Sequence, residues 1–252
     1  KLGDISGGIA GGVEMMSRAP HIAPDMRFGR KMGESVFTDM LLAPLTDPFG
    51  HGHMGITAEN IAKHFGISRE AQDVFAAESH RRATQAIENG YFQEQIVPIE
   101  AIAGRKTKTF AQDEHVRTTA CYEDMAKLLA VFLKDESVTA SNASDINNGA
   151  SALVIGGEAF TKSASPMARI VSYGHSGVAP EIMGMGPVSA TQQALNRAGL
   201  TVNDLDVIES NEAFAAQACA VSQELNLDPT RVNPNGGAIA LGHPVGATGA
   251  II

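Results

Sequence analysis

Beyond Thr139 the chain alternates short apolar runs with helical patterns, and this alternation constrains the fold more than any other feature. The runs that suit strands are residues 152–155, 169–172 and 206–209. Between the second and third runs, Pro187 is placed to open a helix that Gly199 closes, and residues 201–204 suit a helical turn. The third run leads through Asn211 into an alanine-rich helix. Alternating strands and helices predict a layered α/β fold.

The first half of the chain has a different organisation. Residues 5–13 predict a buried strand that runs into a glycine-rich turn, and residues 17–55, rich in Pro and Gly, predict an elaborated loop region. Two helices follow. Thr57 is the expected N-cap of the first, which ends by Gly66, and Ser68 is the expected N-cap of the second, which ends at Gly90. The second helix should bury one apolar stripe, formed by Ala71, Val74, Phe75, Ala83, Ala86 and Ile87.

Composition excludes several classes of function. The chain has 252 residues and a formal net charge of −9, which argues against a broad nucleic-acid surface. No apolar run is long enough to cross a bilayer, so we expect no membrane partner and a cytoplasmic protein, with mitochondrial or peroxisomal targeting left open. The basic cluster at residues 26–31 is either a solvated loop or a local site for an anionic ligand.

The two cysteines, Cys121 and Cys219, are far apart and form no Cys-x-x-Cys motif. A disulfide framework or a zinc site is therefore not expected, and a reducing compartment fits better. Cys219 lies in an alanine-rich run and Cys121 has no base beside it in sequence, so we interpret both thiols as structural. His51 and His53 form a weak metal alternative, because no further ligands cluster near them.

Two segments contain residues suited to catalysis. His243 lies between Gly and Pro in a loop of small residues, where a ligand can approach the backbone; it is either a functional group that titrates near neutrality or a structural side chain. Asn211 lies where the third strand-like run meets the following helix. It is either an N-cap or an amide that orients a water or a carbonyl oxygen, and one role does not exclude the other.

These segments belong to a set of six ordered motifs that covers nearly the whole chain. The motifs are residues 10–20, 53–60, 113–117, 138–144, 211–217 (Asn-Glu-Ala-Phe-Ala-Ala-Gln) and 235–250 (Asn-Gly-Gly-Ala-Ile-Ala-Leu-Gly-His-Pro-x-Gly-Ala-x-Gly-Ala). Together they resemble the thiolase family, and most closely its short-chain acetyl-CoA members. The resemblance implies a layered α/β/α/β/α fold, with helices covering mixed five-stranded sheets in two similar halves.

The resemblance also implies a reaction. Thiolases join two acetyl-CoA molecules into acetoacetyl-CoA and CoA by Claisen condensation, or run the reverse thiolysis, through a cysteine acyl-enzyme. No cofactor is implied beyond CoA as substrate or product. His243 matches the histidine that activates the nucleophile, and Asn211 matches the residue that holds a water in the oxyanion hole. Both catalytic cysteines of the family fall outside this chain, so the resemblance implies that the chain starts late and stops early, and is inactive alone.

Substrate-binding residues carry over position by position. Ser144 matches a serine that touches the pantetheine arm, and Arg117 matches a residue near the nucleotide end. Positions along the pantetheine tunnel and in the acyl pocket are matched by Leu128, Phe132, Phe214, His53 and Met54. A bulky Met in the pocket restricts acyl length by filling volume.

The chain departs from the family pattern near the CoA-facing serine. Asp145 puts an acid beside Ser144, Asn148 replaces an acid, and Leu129-Ala130-Val131 stands where Lys-Pro-x is usual. These changes bear on CoA affinity rather than on the fold.

The resemblance implies three regions and an assembly. Residues 1–18 and 149–165 belong to the N-terminal half, residues 19–148 to an inserted loop domain that covers CoA and supports tetramers, and residues 166–252 to a shortened C-terminal half. The implied partners are acyl-CoA substrates and three further copies in a dimer of dimers.

Two other classes of protein share this fold. The absence of both cysteines favours a catalytically dead binding or assembly protein of the same fold. A ketoacyl-carrier-protein synthase relative shares the layered fold, but the long insertion before Ser144 and the Asn-Glu-Ala-Phe segment argue against it.

Overall fold

A computed structural model describes residues 4–161 and 164–252, within which strands and helices alternate with long loops. The strands are β1 (Gly7–Met15), β2 (His21–Ile22), β3 (Thr38–Asp39), β4 (Thr46–Asp47), β5 (Gly52–His53), β6 (Ile99–Ala103), β7 (Lys106–Phe110) and β8 (Asn148–Gly156). The α-helices are α1 (Met54–Phe65), α2 (Arg69–Glu88), α3 (Tyr122–Met125), α4 (Glu158–Thr161), α5 (Gly186–Ala198), α6 (Ala215–Leu225), α7 (Ala238–Leu241) and α8 (Val245–Ile251). Short 3-10 helices span Met16–Arg18, Pro24–Met26, Pro180–Met185 and Val202–Asp204.

The longest ladder joins the two predicted strands β1 and β8. They pair antiparallel from Gly7 opposite Gly156 to Met15 opposite Asn148. The expectation that these strands are buried is wrong: Ile9 and Val154, which face each other across the ladder, are 80% and 74% exposed. The reason is that every sheet within the described residues has two strands, so only α8 and short segments cover this ladder. The five-stranded sheets we expected are absent from the same residues.

Helices α1 and α2 follow the predicted order, with one boundary corrected. Ser68 caps α2 as predicted, its hydroxyl accepting from the Ala71 N–H at 3.1 Å. Helix α1 begins three residues before Thr57, because the His53 imidazole supplies the N-cap: its Nδ1 accepts from the Gly55 N–H at 3.0 Å. The hydroxyl of Thr57 instead donates to the Met54 carbonyl. Gly66 ends the helix in the left-handed conformation, as predicted.

The buried face of α2 is largely polar, which the apolar stripe did not predict. Val74 of that stripe is half exposed, whereas Asp73 and Ser79 are buried. Burial of a charge requires partners. Asp73 accepts from Arg69 Nε at 2.6 Å and from Asn142 Nδ2 at 2.9 Å, so this helix is tied by hydrogen bonds to the loop that carries the predicted CoA-facing serine.

The apolar core lies around these helices in three small clusters. One joins α1, α6 and the Pro180–Met185 segment through Ile61, Met185 and Val221. A second joins α2, α3, α6 and α7, where Ile239 is almost fully buried. The third lies between α1 and the loop at residues 138–143, with Phe132 and Phe214 packed against it. The core therefore surrounds the loops that carry the predicted site.

The C-terminal third contains both confirmed and corrected predictions. Helix α5 has a proline at its first positions and Gly199 at its C-cap, and a helical turn follows at Val202–Asp204, all as predicted. Thr201 and Asp204 also form a capping box, which was not predicted. Residues 169–172 and 206–209 are not strands. The second of these makes only a parallel bridge, from Ile208 to Val232. Without further neighbouring strands, these short apolar runs form no continuous ladder and stay irregular.

Two further features agree with the composition. Within the described residues, no helix is long and apolar enough to span a bilayer. The basic cluster at residues 26–31 is exposed, and Arg30 pairs with Asp25 at 3.0 Å, which supports the solvated-loop alternative.

The exposed face of the β1–β8 ladder leads to the first prediction. The 252-residue chain alone should bind hydrophobic dyes and associate in solution, because an uncovered apolar ladder favours contact with other chains. Replacing the facing pair Ile9→Thr and Val154→Thr should reduce dye fluorescence and association measured by light scattering. The control Val207→Thr removes a similarly branched, 60% exposed side chain outside this ladder and should change neither. A monodisperse parent chain without dye binding would contradict the prediction.

Candidate active site

His243 is held in a tight connection between two short helices. Helix α7 ends at Leu241 and is capped by Gly242, whose φ of +100° favours glycine, and α8 begins after Pro244. A Cβ on Gly242 would lie 2.7 Å from the amide carbon of Asn147, so the close approach also requires glycine. The same Asn147 amide accepts from the His243 N–H at 2.8 Å through its Oδ1. Backbone conformation and one side chain thus fix the position of the imidazole.

The hydrogen bonds of the imidazole define its tautomer. Nδ1 lies 2.8 Å from Oγ1 of Thr248, one turn into α8, and that hydroxyl donates its single proton to the Pro244 carbonyl. The hydroxyl must therefore accept from Nδ1–H. Nε2 then carries the lone pair, and it lies 3.3 Å from the Asn211 amide nitrogen, which donates to it. Burial lowers the pKa of His243 against a smaller opposing effect of Glu14, so the neutral imidazole is favoured near pH 7.

Asn211 is not an N-cap, so that part of its prediction is wrong. Helix α6 begins at Ala215, and Phe214 occupies the capping position. The Asn211 side chain instead points its nitrogen at His243. Its Oδ1 is buried and has no hydrogen-bond partner among the described residues. A buried acceptor without a hydrogen-bond partner is available to a water or a substrate group. Of the two proposed roles, the geometry supports the orienting one.

Ser144 lies against the same segment. Its N–H and its hydroxyl both donate to the Ala213 carbonyl, at 2.9 and 3.0 Å. An antiparallel bridge joins the neighbouring residues Ala143 and Phe214. The serine predicted to face CoA is therefore fastened two residues from Asn211, and its hydroxyl oxygen keeps lone pairs for a donor.

Aromatic rings continue from this point in a row. Phe214 lies edge-on to Phe132, with ring centroids 6.0 Å apart, and Phe132 stacks on His53 at 4.8 Å. Burial lowers the pKa of His53, which keeps its Nδ1 available as the N-cap acceptor. Met54, the first residue of α1, follows His53 directly. Four of the predicted substrate residues are thus brought together.

Two predicted residues lie outside this row. Leu128 is 43% exposed, and its carbonyl accepts from Arg69. Arg117 lines a surface pocket with Arg81 and Thr84, and its N–H donates to Nδ1 of buried His80. Burial, with the nearby charges of His115 and Arg117, lowers the pKa of His80 to about 4. The structure does not join Leu128 or Arg117 to His243 by any contact between described residues.

Four residues of the site were missed by sequence reasoning. Two of them bond His243: Asn147 accepts from its backbone N–H, and Thr248 accepts from its Nδ1–H. The other two are the buried Glu212 and Asn233. Thr248 lies five residues after His243, which is longer than the spacing of three or four that brings helical side chains together, and His243 precedes α8, so spacing gave no signal for it. Nothing in the sequence indicated that Glu212 is buried, because a charged residue at the end of an alanine-rich run is usually exposed to solvent.

The structure shows the surroundings of the two cysteines and of the residues that depart from the family pattern. Cys219 lies in α6, where burial, together with the charge of Glu212, raises its pKa to about 12. Cys121 lies 3.4 Å from the carboxylate of Asp124. A thiol with a raised pKa is a poor nucleophile, which agrees with a structural role for Cys219.

The two departures near Ser144 make local contacts. Asp145 Oδ2 lies 3.7 Å from His115 Nδ1. The Asn148 amide exchanges two hydrogen bonds with Ser17, one of which an aspartate could not donate.

The chain is similar to known proteins over its whole length. The thiolase N-terminal domain family matches residues 1–159, and the thiolase C-terminal domain family matches residues 164–252. The chain belongs to the thiolase family.

Named thiolase relatives agree in sequence and structure. The chain is 57% identical to the beta-ketothiolase BktB of Cupriavidus necator, over 100% of this chain and 64% of that protein. It is 49% identical to an acetyl-CoA acetyltransferase of Pseudomonas aeruginosa, over 99% and 64%. The Bacillus anthracis acetyl-CoA acetyltransferase superposes with a TM-score of 0.96 at 45% identity, over 99% and 64%. Human mitochondrial 3-ketoacyl-CoA thiolase in complex with CoA superposes at 0.93 and 44%, over 98% and 62%.

This thiolase chain thus spans 64% of the length of the first relatives it matches. The likeness to thiolase structures bears out the layered α/β class, although the sheets within residues 4–161 and 164–252 have two strands each. Within the same residues no group of three or more metal-ligating side chains lies together, and the His53 Nδ1 of the metal alternative is used as an N-cap.

The tautomer of His243 provides a test of this geometry. Thr248→Val keeps the side-chain shape but removes the acceptor for Nδ1–H, so the tautomer with the proton on Nε2 should gain population. Nitrogen-15 NMR of labelled histidine near pH 7 measures the two tautomers directly. Thr230→Val, which removes a hydroxyl that donates to Asp228 in the loop between α6 and α7, should leave the His243 signals unchanged. Unaltered Nδ1 and Nε2 shifts in Thr248→Val would show that this hydroxyl does not set the tautomer.

Proposed function

We propose that this chain is the larger part of an acetyl-CoA C-acyltransferase that condenses two acetyl-CoA molecules or cleaves acetoacetyl-CoA with CoA. The observation that carries the proposal is the pairing of His243 with Asn211, at 3.3 Å, beside a buried acceptor with no partner among the described residues. Membership of the thiolase family supports the same reaction, and the names of the relatives support the short-chain substrate.

The acylation step uses the lone pair on Nε2. The nucleophilic cysteine lies outside these 252 residues by family resemblance. His243 accepts its thiol proton, the resulting thiolate attacks the thioester carbonyl, and the C–S bond to CoA then breaks. The imidazolium returns the proton to the departing CoA sulfur. A neutral imidazole with Nε2 unprotonated suits this role, and the lowered pKa of His243 keeps that form available.

Asn211 supports the same step through a water. Its Oδ1 accepts one hydrogen bond from the water, and the second water hydrogen points to the oxyanion that forms on the thioester. In the second half of the condensation, another cysteine removes an α-proton from acetyl-CoA. The carbanion attacks the acyl-enzyme and the first cysteine leaves as thiolate. Because each step is reversible, one site serves synthesis and thiolysis.

The substrate path follows the aromatic row. The Ser144 hydroxyl contacts the pantetheine arm, and Phe214 and Phe132 supply apolar surface along the row. Leu128, which lies outside the row, supplies further apolar surface for the same arm. His53 and Met54 fill the acyl end and favour short chains by occupying volume. Arg117 supplies positive charge for the nucleotide end.

The proposal extends to domains and assembly. Residues 19–148 form the inserted domain that covers CoA, between the N-terminal parts (1–18 and 149–165) and the C-terminal part (166–252). Four copies assemble as a dimer of dimers, and no cofactor takes part beyond CoA. A reducing compartment such as the cytoplasm preserves the catalytic thiolates.

The experiment is thiolysis of acetoacetyl-CoA by the full-length protein. His243→Ala should abolish turnover while CoA binding stays near the parental value, because no predicted CoA contact involves the imidazole. Asn211→Ala should lower kcat by about 10²–10³-fold, the effect of losing one oxyanion donor. Progress curves and CoA titration by calorimetry provide the measurements.

Two controls sharpen this test. The 252-residue chain by itself should release no acetyl-CoA, because neither catalytic cysteine is present in it. Substituting exposed His175, whose ring stacks on Tyr173, with Ala should leave turnover unchanged. Near-parental turnover of His243→Ala in the full-length protein would make the histidine structural and refute the assigned mechanism. Turnover by the isolated chain that is lost on replacing Cys121 or Cys219 would refute the structural reading of those thiols.

A further inference from the structure

A buried carboxylate links the two segments that carry Asn211 and His243. Glu212 is 2% exposed, and its oxygens accept three hydrogen bonds from three different segments. Oε2 accepts from the Ser79 hydroxyl at 2.7 Å and from the Ile239 N–H at 3.1 Å, and Oε1 accepts from Asn233 Nδ2 at 2.8 Å. Burial raises the pKa of Glu212, and the bonds from Ser79, Asn233 and Ile239 act in the opposite direction.

The donors connect the carboxylate to the site on both sides. Glu212 follows Asn211 directly in the chain. Ile239 lies in α7, whose last residue precedes Gly242 and His243. The Ser79 hydroxyl also accepts from the Gly237 N–H at 3.1 Å, and a Cβ on Gly237 would collide with the Glu212 carboxylate. The backbone from Gly237 to Ile239, shortly before His243, therefore packs directly against the Glu212 side chain.

Asn233 donates the third hydrogen bond to Glu212, and the orientation of its amide is fixed by the backbone. Its amide exchanges hydrogen bonds with the backbone of Ser210, which precedes Asn211: Oδ1 accepts from the Ser210 N–H at 2.7 Å and Nδ2 donates to the Ser210 carbonyl at 2.8 Å. These two bonds fix which way the Asn233 amide faces. Its nitrogen must point at Glu212 Oε1, and cannot be exchanged for an acceptor by turning the amide over.

From this geometry we infer that Glu212 is a positioning residue for acyl transfer. Because both of its oxygens face donors, the side chain is present as a carboxylate. It sets the distance between the Asn211 amide and the His243 imidazole by anchoring the segments that carry them to Ser79 of α2. Glu212 touches neither of those two side chains through a hydrogen bond in the described residues, so it acts through its neighbours rather than on the substrate. The inference rests on the proposed function, because it assigns a residue to the same site.

The decisive substitution is Glu212→Gln, which keeps size and shape. A carboxamide offers one acceptor oxygen, whereas both oxygens of Glu212 face donors. With the oxygen toward Ser79 and Ile239, the new NH₂ faces the fixed NH₂ of Asn233; turned over, it faces Ser79 and Ile239. Either orientation places donor against donor and displaces one of the two segments. A misplacement of this kind costs about 10²-fold in turnover.

The experiment measures thiolysis of acetoacetyl-CoA in the full-length protein and nitrogen-15 signals of His243. Glu212→Gln should lower kcat by about 10²-fold with KM near the parental value, and should shift the Nε2 signal of the folded protein. The matched control is Glu224→Gln, which removes an exposed carboxylate on α6, twelve residues later in the chain, and should leave kcat and the signal unchanged. Ser79→Ala, which removes one of the three donors, should give a smaller loss of kcat in the same direction.

The outcomes separate the inference from the proposed function. A parental protein that does not cleave acetoacetyl-CoA refutes the proposed function. An active parent whose folded Glu212→Gln variant keeps kcat and the His243 signal refutes the inference alone. If Glu212→Gln does not fold, Ser79→Ala decides: a reduced kcat with a shifted Nε2 signal supports positioning, and parental values of both overturn it.

Discussion

Burial of one charge organises the centre of this protein. A carboxylate out of water is tolerated only where donors replace its hydration, and Glu212 obtains them from Ser79, Asn233 and the backbone of Ile239. Those donors come from α2, from the loop after α6 and from α7, so satisfying the charge brings three distant segments together. The segment that precedes His243 and the one that carries Asn211 take their places from this requirement.

A second constraint acts where the site meets the long ladder. A Cβ on Gly12 of β1 would collide with the carbonyl oxygen of Gly246 in α8, and a Cβ on Gly246 would collide with the carbonyl oxygen of Val13. Helix α8 can therefore lie directly on the strand only because both residues are glycine. Since α8 carries Thr248, which accepts from His243, this close packing transmits the position of the ladder to the imidazole.

The sequence was sufficient for features that depend on local chemistry or on ordered motifs. Ser68 and Gly199 mark helix ends through their own conformational preferences, and the motifs placed His243 beside Asn211. It was insufficient where the deciding partner is far along the chain. Glu212 is buried because of a hydroxyl 133 residues earlier, and Val74 is exposed because α2 buries a polar face instead. The periodicity of apolar residues along the chain carries no information on such contacts between distant segments.

The central claim is that His243, held beside Asn211, activates a cysteine toward an acyl-CoA. Mass spectrometry of the full-length protein after mixing with acetyl-CoA, without a second substrate, tests it most directly. The account predicts one acetyl group on a cysteine outside these 252 residues in the parental protein, and none within the same mixing time in His243→Ala. Acetylation of His243→Ala at the parental rate, or acetylation of Cys121 or Cys219 in the parent, would contradict it.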